Sequence, residues 1–340
     1  MCRGTGMTYF NRMNVAALTC AALMLFSGPL QAQSTTPSVE LSIPGNDNVL
    51  LIGGGLPFGL YFPLAGSICR LLETGVSAQR CAVVSLPDSA EAINALRNGE
   101  VPFALVQSDW LYHAVNGTSR YQETGPVENL RSVTGFYAEA FTVFVKATGP
   151  ITSLSGLDGR RVSLGGADSY RGILGTAALD AAGLDTGDLA EVTAEPVVGA
   201  IERLCEGQTD AVVVMAAHPA ELLEEAGRRC GITPLSFTDA QVADLMDQLP
   251  GYTEVVIPAR TYPGQTVPIR TVGLIPVLVT LAGTDEGTVA GLTRAITQGL
   301  SRLNAAHPAF STIGIDSLQS GGQFAQPHGA VQSVLGTARQ

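Results

Sequence analysis

The chain contains a single lysine, Lys146, and every other basic residue is arginine or histidine. A phosphate-binding Walker-A loop is thereby excluded, because that loop needs a lysine directly after its second glycine. The sequence also lacks Gly-x-Ser-x-Gly, which presents a nucleophilic serine on a sharp turn. It has no His-Glu-x-x-His and no Asp-x-Asp metal signature. Its six cysteines show neither a Cys-x-x-Cys pair nor a Cys/His spacing that suggests zinc. The first glycine run, Gly53-Gly54-Gly55-Leu56-Pro57, fails the dinucleotide fingerprint in spacing, and proline interrupts it. Basic charge is scarce as well: the formal net charge is −11. An acidic surface argues against nucleic acid and anionic membrane as partners, but a local site for a small anion can still oppose it. With no recognisable set of activated groups, binding without chemistry is the simpler reading. No enzyme activity and no cofactor are expected.

What the chain does have is one pattern twice. Strand Val49-Leu50-Leu51-Ile52 leads into Gly53-Gly54-Gly55-Leu56-Pro57-Phe58-Gly59 and a helical run from Tyr61. Strand Arg161-Val162-Ser163-Leu164 leads into Gly165-Gly166-Ala167-Asp168-Ser169 and a helical run over Ile173 to Leu179. Amides at a helix N-terminus lack intrahelical acceptors, and the helix dipole adds to their pull on anions. Two such ends facing across a cleft would hold a carboxylate-bearing ligand.

The N-terminus reads as an export signal over 1–32. Arg3 and Arg12 give a basic start, Val15 to Phe26 is apolar, and Leu30-Gln31-Ala32 is a cleavage context. That apolar core is roughly 12 residues, short of the ~20 that span a bilayer. Its removal takes two arginines and makes the mature chain still more acidic. Residues 33–47 are polar with Pro37 and Pro44, and read as a disordered lead-in. Cys69, Cys81, Cys205 and Cys230 remain after processing. An even count in an oxidising compartment predicts two disulfides among three possible connectivities. The sequence-local choice is Cys69–Cys81 with Cys205–Cys230, each worth roughly 3 kcal/mol on the chain-entropy model.

The mature length exceeds one typical core, so two lobes are expected. Strands and helices alternate as in a parallel or mixed α/β sheet. Strands are predicted at 50–52, 81–85, 103–107, 130–137 and 141–146, with helices over 61–73, 89–98 and 109–115. Asp88 or Ser89 caps the second helix. The pattern restarts at Thr148-Gly149-Pro150 with strands at 161–164, 191–194 and 211–215. Helices follow at 172–182, 197–206 and 220–228. Prolines 250, 258 and 263 mark the end of this unit. A long β-rich run, 271–280, and a helix, 287–304, then return to the first lobe. Lobe I is expected over 48–147 and 263–340, and lobe II over 148–262. Two chain crossings would form a hinge.

The chain resembles the TAXI family, the extracytoplasmic solute receptors of TRAP transporters. The matching stretches begin with Gly53-Gly54-Gly55, Gly59-Leu60-Tyr61-Phe62-Pro63, Asp88-Ser89, Gly99-Glu100 and Gln107-Ser108-Asp109. They continue through Leu130-Arg131, Tyr137-Ala138-Glu139, Leu157-Asp158-Gly159-Arg160-Arg161-Val162, Gly165 with Ser169, and Ala182-Gly183-Leu184. Tyr262-Pro263-Gly264, Thr271-Val272-Gly273 and Pro327-His328-Gly329-Ala330 complete the set. The resemblance implies a type II periplasmic-binding-protein fold, two α/β lobes on a two-strand hinge with a ligand cleft. It also implies a small carboxylate ligand, glutamate-like or a dicarboxylate, and delivery to a TRAP membrane permease driven by an ion gradient. Two loops depart from the family. Asp168-Ser169-Tyr170-Arg171 stands where Gly-Ser-Gly-Thr is usual, and Asp88-Ser89-Ala90-Glu91-Ala92 where Gly-Ser-Val-Glu-Asn is usual.

The candidate ligand residues are Gly59, Tyr61, Ser89, Gln107, Ser108, Glu139, Ser169, Tyr170, Arg171 and His218. Ser89 and Ser169 are helix caps that could also offer a hydroxyl to ligand. Tyr61 lies where the first glycine loop becomes a helix, with core packing as its plainer role. Gln107 and Ser108 follow a short buried strand, at the crevice position where open α/β sheets bind ligands. Arg171 could fork onto a ligand carboxylate, or pair with Asp168 at the surface. Glu139 could recognise a ligand ammonium, or hold the crossing strand. His218 sits at a strand end, where it caps the next helix or touches ligand. Trp110 would report on the cleft by fluorescence. The expected protein is a monomeric periplasmic receptor in a carboxylate uptake system. A receptor of an ATP-driven importer and a ligand-sensing partner of a membrane kinase are the rival readings.

Overall fold

The computed structural model describes residues 49–74, 79–167 and 169–336. The expected signal, the lead-in and Asp168 lie outside them. Everything described falls in one compact unit, 46–340. No helix among these residues is long and apolar enough to cross a membrane.

The first sheet is built by β1 (Val49–Gly54), β2 (Arg80–Ser85), β3 (Phe103–Gln107) and β4 (Leu130–Gly135). Helices α1 (Tyr61–Glu73), α2 (Ser89–Arg97) and α3 (Ser108–Asn116) follow the first three strands in turn. The second sheet begins with β5 (Glu139–Lys146), β6 (Arg161–Ser163), β7 (Glu191–Thr193) and β8 (Ala211–Ala217). Here α4 (Tyr170–Asp180), α5 (Val197–Cys205) and α6 (Glu221–Cys230) follow the last three. Next come β9 (Ile232–Pro234), α7 (Asp239–Gln248), β10 (Thr253–Ile257) and β11 (Ile269–Leu274). The chain then returns as β12 (Pro276–Leu281) to the first sheet. Helices α8 (Glu286–Gln298), α9 (Leu300–Ala306), α10 (Ile315–Ser320) and α11 (Gly329–Leu335) complete the chain.

The two sheets share a plan. In the first, the order is β2-β1-β3-β12-β4, with β1 parallel to both neighbours and β12 antiparallel to β3. In the second, the order is β10-β11-β5-β8-β6-β7, with β6 parallel to both neighbours and β5 antiparallel to β8. The repeated strand–glycine–helix pattern therefore occupies equivalent places, with β1 and β6 as the central parallel strands. Their following loops emerge from the carboxyl ends of both sheets, where open α/β folds bind ligands.

The chain passes between sheets twice, at Phe136-Tyr137-Ala138 and at Ile275. The sequence boundaries, 147/148 and 262/263, assigned β5 and β11 to lobe I. Hydrogen bonding puts both in the second sheet, where β5 pairs with β8 and β11 with β10. Composition marks turns, and the Thr148-Gly149-Pro150 turn lies beyond β5; the actual crossings carry no turn residue until Pro276. Ser108 clamps the second crossing: its N–H donates to the Ile275 carbonyl and its Oγ accepts the Ile275 N–H, both at 3.0 Å.

Two further expectations change. Gly53 and Gly54 belong to β1 and not to an open loop. A Cβ on Gly53 would lie 2.7 Å from Leu86 and one on Gly54 2.9 Å from Val83, so these glycines let the first sheet and its cover pack closely. The single helix expected over 287–304 is broken at Gly299, whose Cβ would meet Leu71 of α1 at 2.5 Å. Both disulfides form as expected, Cys69–Cys81 and Cys205–Cys230. The second joins the last residues of α5 and α6, and the lone lysine donates to the carbonyls of both its cysteines, at 3.0 and 3.1 Å.

Candidate functional site

Where the carboxyl ends of the two sheets meet, the lobes touch through a few polar contacts. Ser108 donates from Oγ to the Gly251 carbonyl of the second lobe at 2.7 Å. Tyr170, first residue of α4, reaches across to α3. Its hydroxyl accepts from Trp110 Nε1 at 2.8 Å and donates to Asp109 Oδ2 at 3.1 Å. Gln107 Oε1, at 3.3 Å, competes for the same proton. The other Asp109 oxygen accepts the Trp110 N–H at 2.7 Å.

Behind this bridge lie Glu139, Tyr61, Tyr137 and Tyr252. Burial pushes the Glu139 carboxyl up to about 7; contacts from Gln107 and Tyr61 oppose that, and the nearby Asp109 charge adds to it. Burial likewise raises Asp109 to about 6, against its bonds from Trp110 and Tyr170. The phenols of Tyr61, Tyr137 and Tyr252 are all raised, by burial first and then by these two carboxylates in differing combinations. Like charges held together out of water disfavour ionisation in this way. The Tyr61 and Tyr137 hydroxyls are buried and make no hydrogen bond of good geometry. Tyr137 is 2% exposed and stacks on Phe310.

Basic groups do not balance this cluster. Neither Asp109 nor Glu139 takes part in an ion pair among the described residues. Arg120, whose guanidinium carbon lies 4.8 Å from the Trp110 ring centroid, acts within this cluster on Tyr170 and on neither carboxyl. Arg171 faces elsewhere. Nε donates to the Val213 carbonyl at 2.7 Å, one terminal nitrogen to the Glu195 carbonyl at 2.9 Å, and the other to Ser163. It straps the second sheet from within with four of its five N–H groups, which leaves one donor, too few for the expected fork onto a ligand carboxylate.

The remaining expected residues divide. Tyr61, Gln107, Glu139 and Tyr170 come together in the cluster just described. Ser108 sits beside it as a clamp, 0% exposed. Ser89 is the first residue of α2, not its cap; Asp88 caps the helix, and Ser89 Oγ accepts the Gln107 N–H at 3.0 Å. Ser169 caps α4 through Gly172 N–H and donates to the Gly166 carbonyl. Gly59 closes an exposed turn onto Leu56. His218 stands apart, with Nδ1 on the Tyr262 hydroxyl. That hydroxyl, not the histidine, receives the Ala220 N–H ahead of α6. Burial pushes His218 down to about 4, so the ring is neutral.

Of the cluster, Asp109, Tyr137, Gly251 and Tyr252 were not among the expected ligand residues, and Trp110 entered only as a reporter. Asp109 did have a signal: an acidic residue in the first turn after a buried β-strand, at the crevice. Tyr252 had none locally, since α7 and β10 carry it into place.

The NMT1-like family profile matches residues 52–332. Among solved structures, the chain is similar to a TctC solute binding protein from Polaromonas with no ligand, at 16% identity. That match covers 86% of this chain and 99% of the other, with a TM-score of 0.56. It is also similar to the periplasmic aliphatic sulphonate binding protein SsuA from Escherichia coli, at 15% identity, 86% of each chain and a TM-score of 0.45. The L-cystine solute receptor of Neisseria gonorrhoeae in its unliganded open conformation matches at 14% identity, over 84% of this chain and 97% of that one, with a TM-score of 0.43. The likeness is one of fold: two α/β lobes on mixed sheets, as in periplasmic binding proteins.

Proposed function

The chain belongs to the NMT1-like family, and from that premise we propose that it is a periplasmic solute receptor. It captures a small molecule between its lobes and delivers it to a membrane transporter. One observation carries this reading. Side chains of both lobes, joined through Tyr170, Asp109 and Trp110, converge at the carboxyl ends of the two sheets. A solute favours closure only by binding the closed form better than the open one, and that requires contacts from both sides.

The finer reading follows the TAXI resemblance: a small glutamate-like carboxylate, handed to a TRAP permease. Helix α1 supports a carboxylate subsite, because it begins without a side-chain cap beside Tyr61. Helix α4, by contrast, is capped by Ser169, and α3 binds its own Asp109. Bound anions favour such open helix ends. The test has two arms. Deleting the gene should abolish uptake of one small carboxylate, and that uptake should stop when the ion gradient is collapsed but not when ATP is depleted. The exported, purified protein should gain several degrees of thermal stability with the same solute. Uptake unchanged by deletion overturns the receptor reading; dependence on ATP overturns the TRAP assignment alone.

A further inference from the structure

We propose a second binding site beside the hinge, separate from the interlobe bridge, for a compact neutral molecule that presents a carbonyl oxygen to His218 Nε2. A cavity of about 400 Å³ lies there. Both chain crossings border it, through Phe136, Ala138 and Ile275. The edge strand β10 of the second lobe forms one side, and Thr312 and Ser320 of the first lobe form the other. Of the interlobe cluster only Tyr137 reaches it; Gln107, Asp109, Trp110 and Tyr170 do not. Small-molecule sites span roughly 300–1,000 Å³, favour the boundaries between domains, and set a few polar groups in apolar walls. The site does not depend on the receptor reading.

His218 supplies the polar group. The residue is 8% exposed, and its Nε2 is buried with no hydrogen-bond partner among the described residues. Its neighbour fixes where the ring proton sits. Tyr262 Oη accepts the Ala220 N–H at 3.1 Å, and His218 Nδ1 is the one acceptor its own proton meets among the described residues. Burial keeps the ring neutral, so the ring proton is on Nε2 and that nitrogen is a donor. The Nδ1 edge faces Tyr262, which does not line the cavity; the Nε2 edge faces Ala140, which does. The Ala140 carbonyl lies near Nε2 but takes no bond of good geometry. A buried donor without an acceptor is unfavourable, and a ligand oxygen would satisfy it. The remaining walls narrow the class. No lysine or arginine is among the described residues lining the cavity, and its acidic residue, Glu254, already pairs with Arg270. An anion would find no counter-charge here, and an ammonium would set N–H donors against a donor. An apolar body with one carbonyl meets both the walls and the imidazole.

The experiment is imidazole NMR on the exported protein, labelled with nitrogen-15 in its histidines, with cyclohexanone, cyclohexanecarboxylate and cyclohexylammonium as probes. The three share a ring and differ in head group: a neutral acceptor, an anionic acceptor and a cationic donor. Without a probe, the His218 ring should show the Nε2–H tautomer. Cyclohexanone should shift its Nε2 signal saturably, with a Kd at least about fivefold below that of either charged probe. Thr312→Phe, at an exposed position on the rim, sets a ring in the cavity mouth and should abolish that shift while melting like the parent. If this variant does not fold, Gln323→Phe, exposed on the same rim, decides. An Nδ1–H tautomer, or a His218 signal unmoved by millimolar cyclohexanone, overturns the site. So does equal affinity for a charged probe, or an undiminished shift in the folded rim variant. Each of these outcomes leaves the receptor reading standing, since gene deletion and uptake decide that separately.

Discussion

Replacing Gly251 by alanine should weaken solute binding far more than it weakens the fold. Gly251 lies in the second lobe at φ +89°, and its ideal Cβ would stand 2.3 Å from Asp109 Cα, 2.8 Å from Asp109 N and 3.0 Å from the Ser108 carbonyl. Carbon atoms pack at about 3.5–4.0 Å, so the lobes must part by more than about 1 Å at this point. The Ser108–Gly251 bond of 2.7 Å is then lost. Losing that bond while its groups stay buried costs about 1–3 kcal/mol, and residual overlap adds about 1–3 kcal/mol more. The left-handed backbone costs alanine about 1–2 kcal/mol, but equally in open and closed forms, so it cancels from the closure equilibrium. The closed form should fall by about 2–6 kcal/mol against the open form, raising Kd by at least about 30-fold. Gly264 provides the control: it has φ +80° with nothing within 4 Å of its Cβ. Gly264→Ala therefore carries backbone strain alone. Calorimetry and thermal melts on both variants decide the matter. If Gly251→Ala binds within threefold of Gly264→Ala, the contact between Gly251 and Asp109 is not part of closure, and the reasoning fails.

Tyr170→Phe removes both the acceptor for Trp110 and a donor to Asp109, so tryptophan emission should change and solute affinity drop about tenfold, with the melting temperature of the ligand-free protein little altered. Arg171→Ala should destabilise the protein by about 2–4 kcal/mol, since three carbonyls of the second lobe lose a charged donor; denaturant melts should show the loss while the variant, saturated with solute, keeps the parent's preference among ligands.

The succession of strands and helices up to α6 and both disulfides were legible because they rest on local signals: apolar runs, glycine and proline punctuation, and an even cysteine count. The equivalence of β1 and β6 was visible as a repeat, for the same reason. Helix α7 was legible too and went unread; its capping box, Thr238 with Gln241, is plain in the sequence. What was hidden depends on contacts between segments far apart. Arg171 looks like an anion clamp because its loop does, but a long side chain is placed by what it can reach, here Ser163, Glu195 and Val213. Gly251 sits among prolines and reads as a turn; only against Asp109, a residue of the other lobe, does its missing side chain acquire a purpose. Glu139 could be read as ammonium contact or strand support from sequence, and its nearness to Asp109 and Tyr61, residues of α3 and α1, carries no local signal.

The two raised carboxyls, Asp109 and Glu139, also bear on how stability varies with pH. A carboxyl whose folded pKa is raised above its unfolded value stabilises the fold fully below the unfolded pKa. That contribution is lost as pH rises through the folded pKa. For Asp109 and Glu139 the window runs from about pH 4 to about pH 7. At neutral pH and above, the fold therefore holds two carboxyls whose charge burial disfavours. Glu139→Gln should accordingly melt higher than the parent at pH 8 without solute, and converge with it near pH 4. A variant that melts lower at both would make Glu139 a support for the crossing strand.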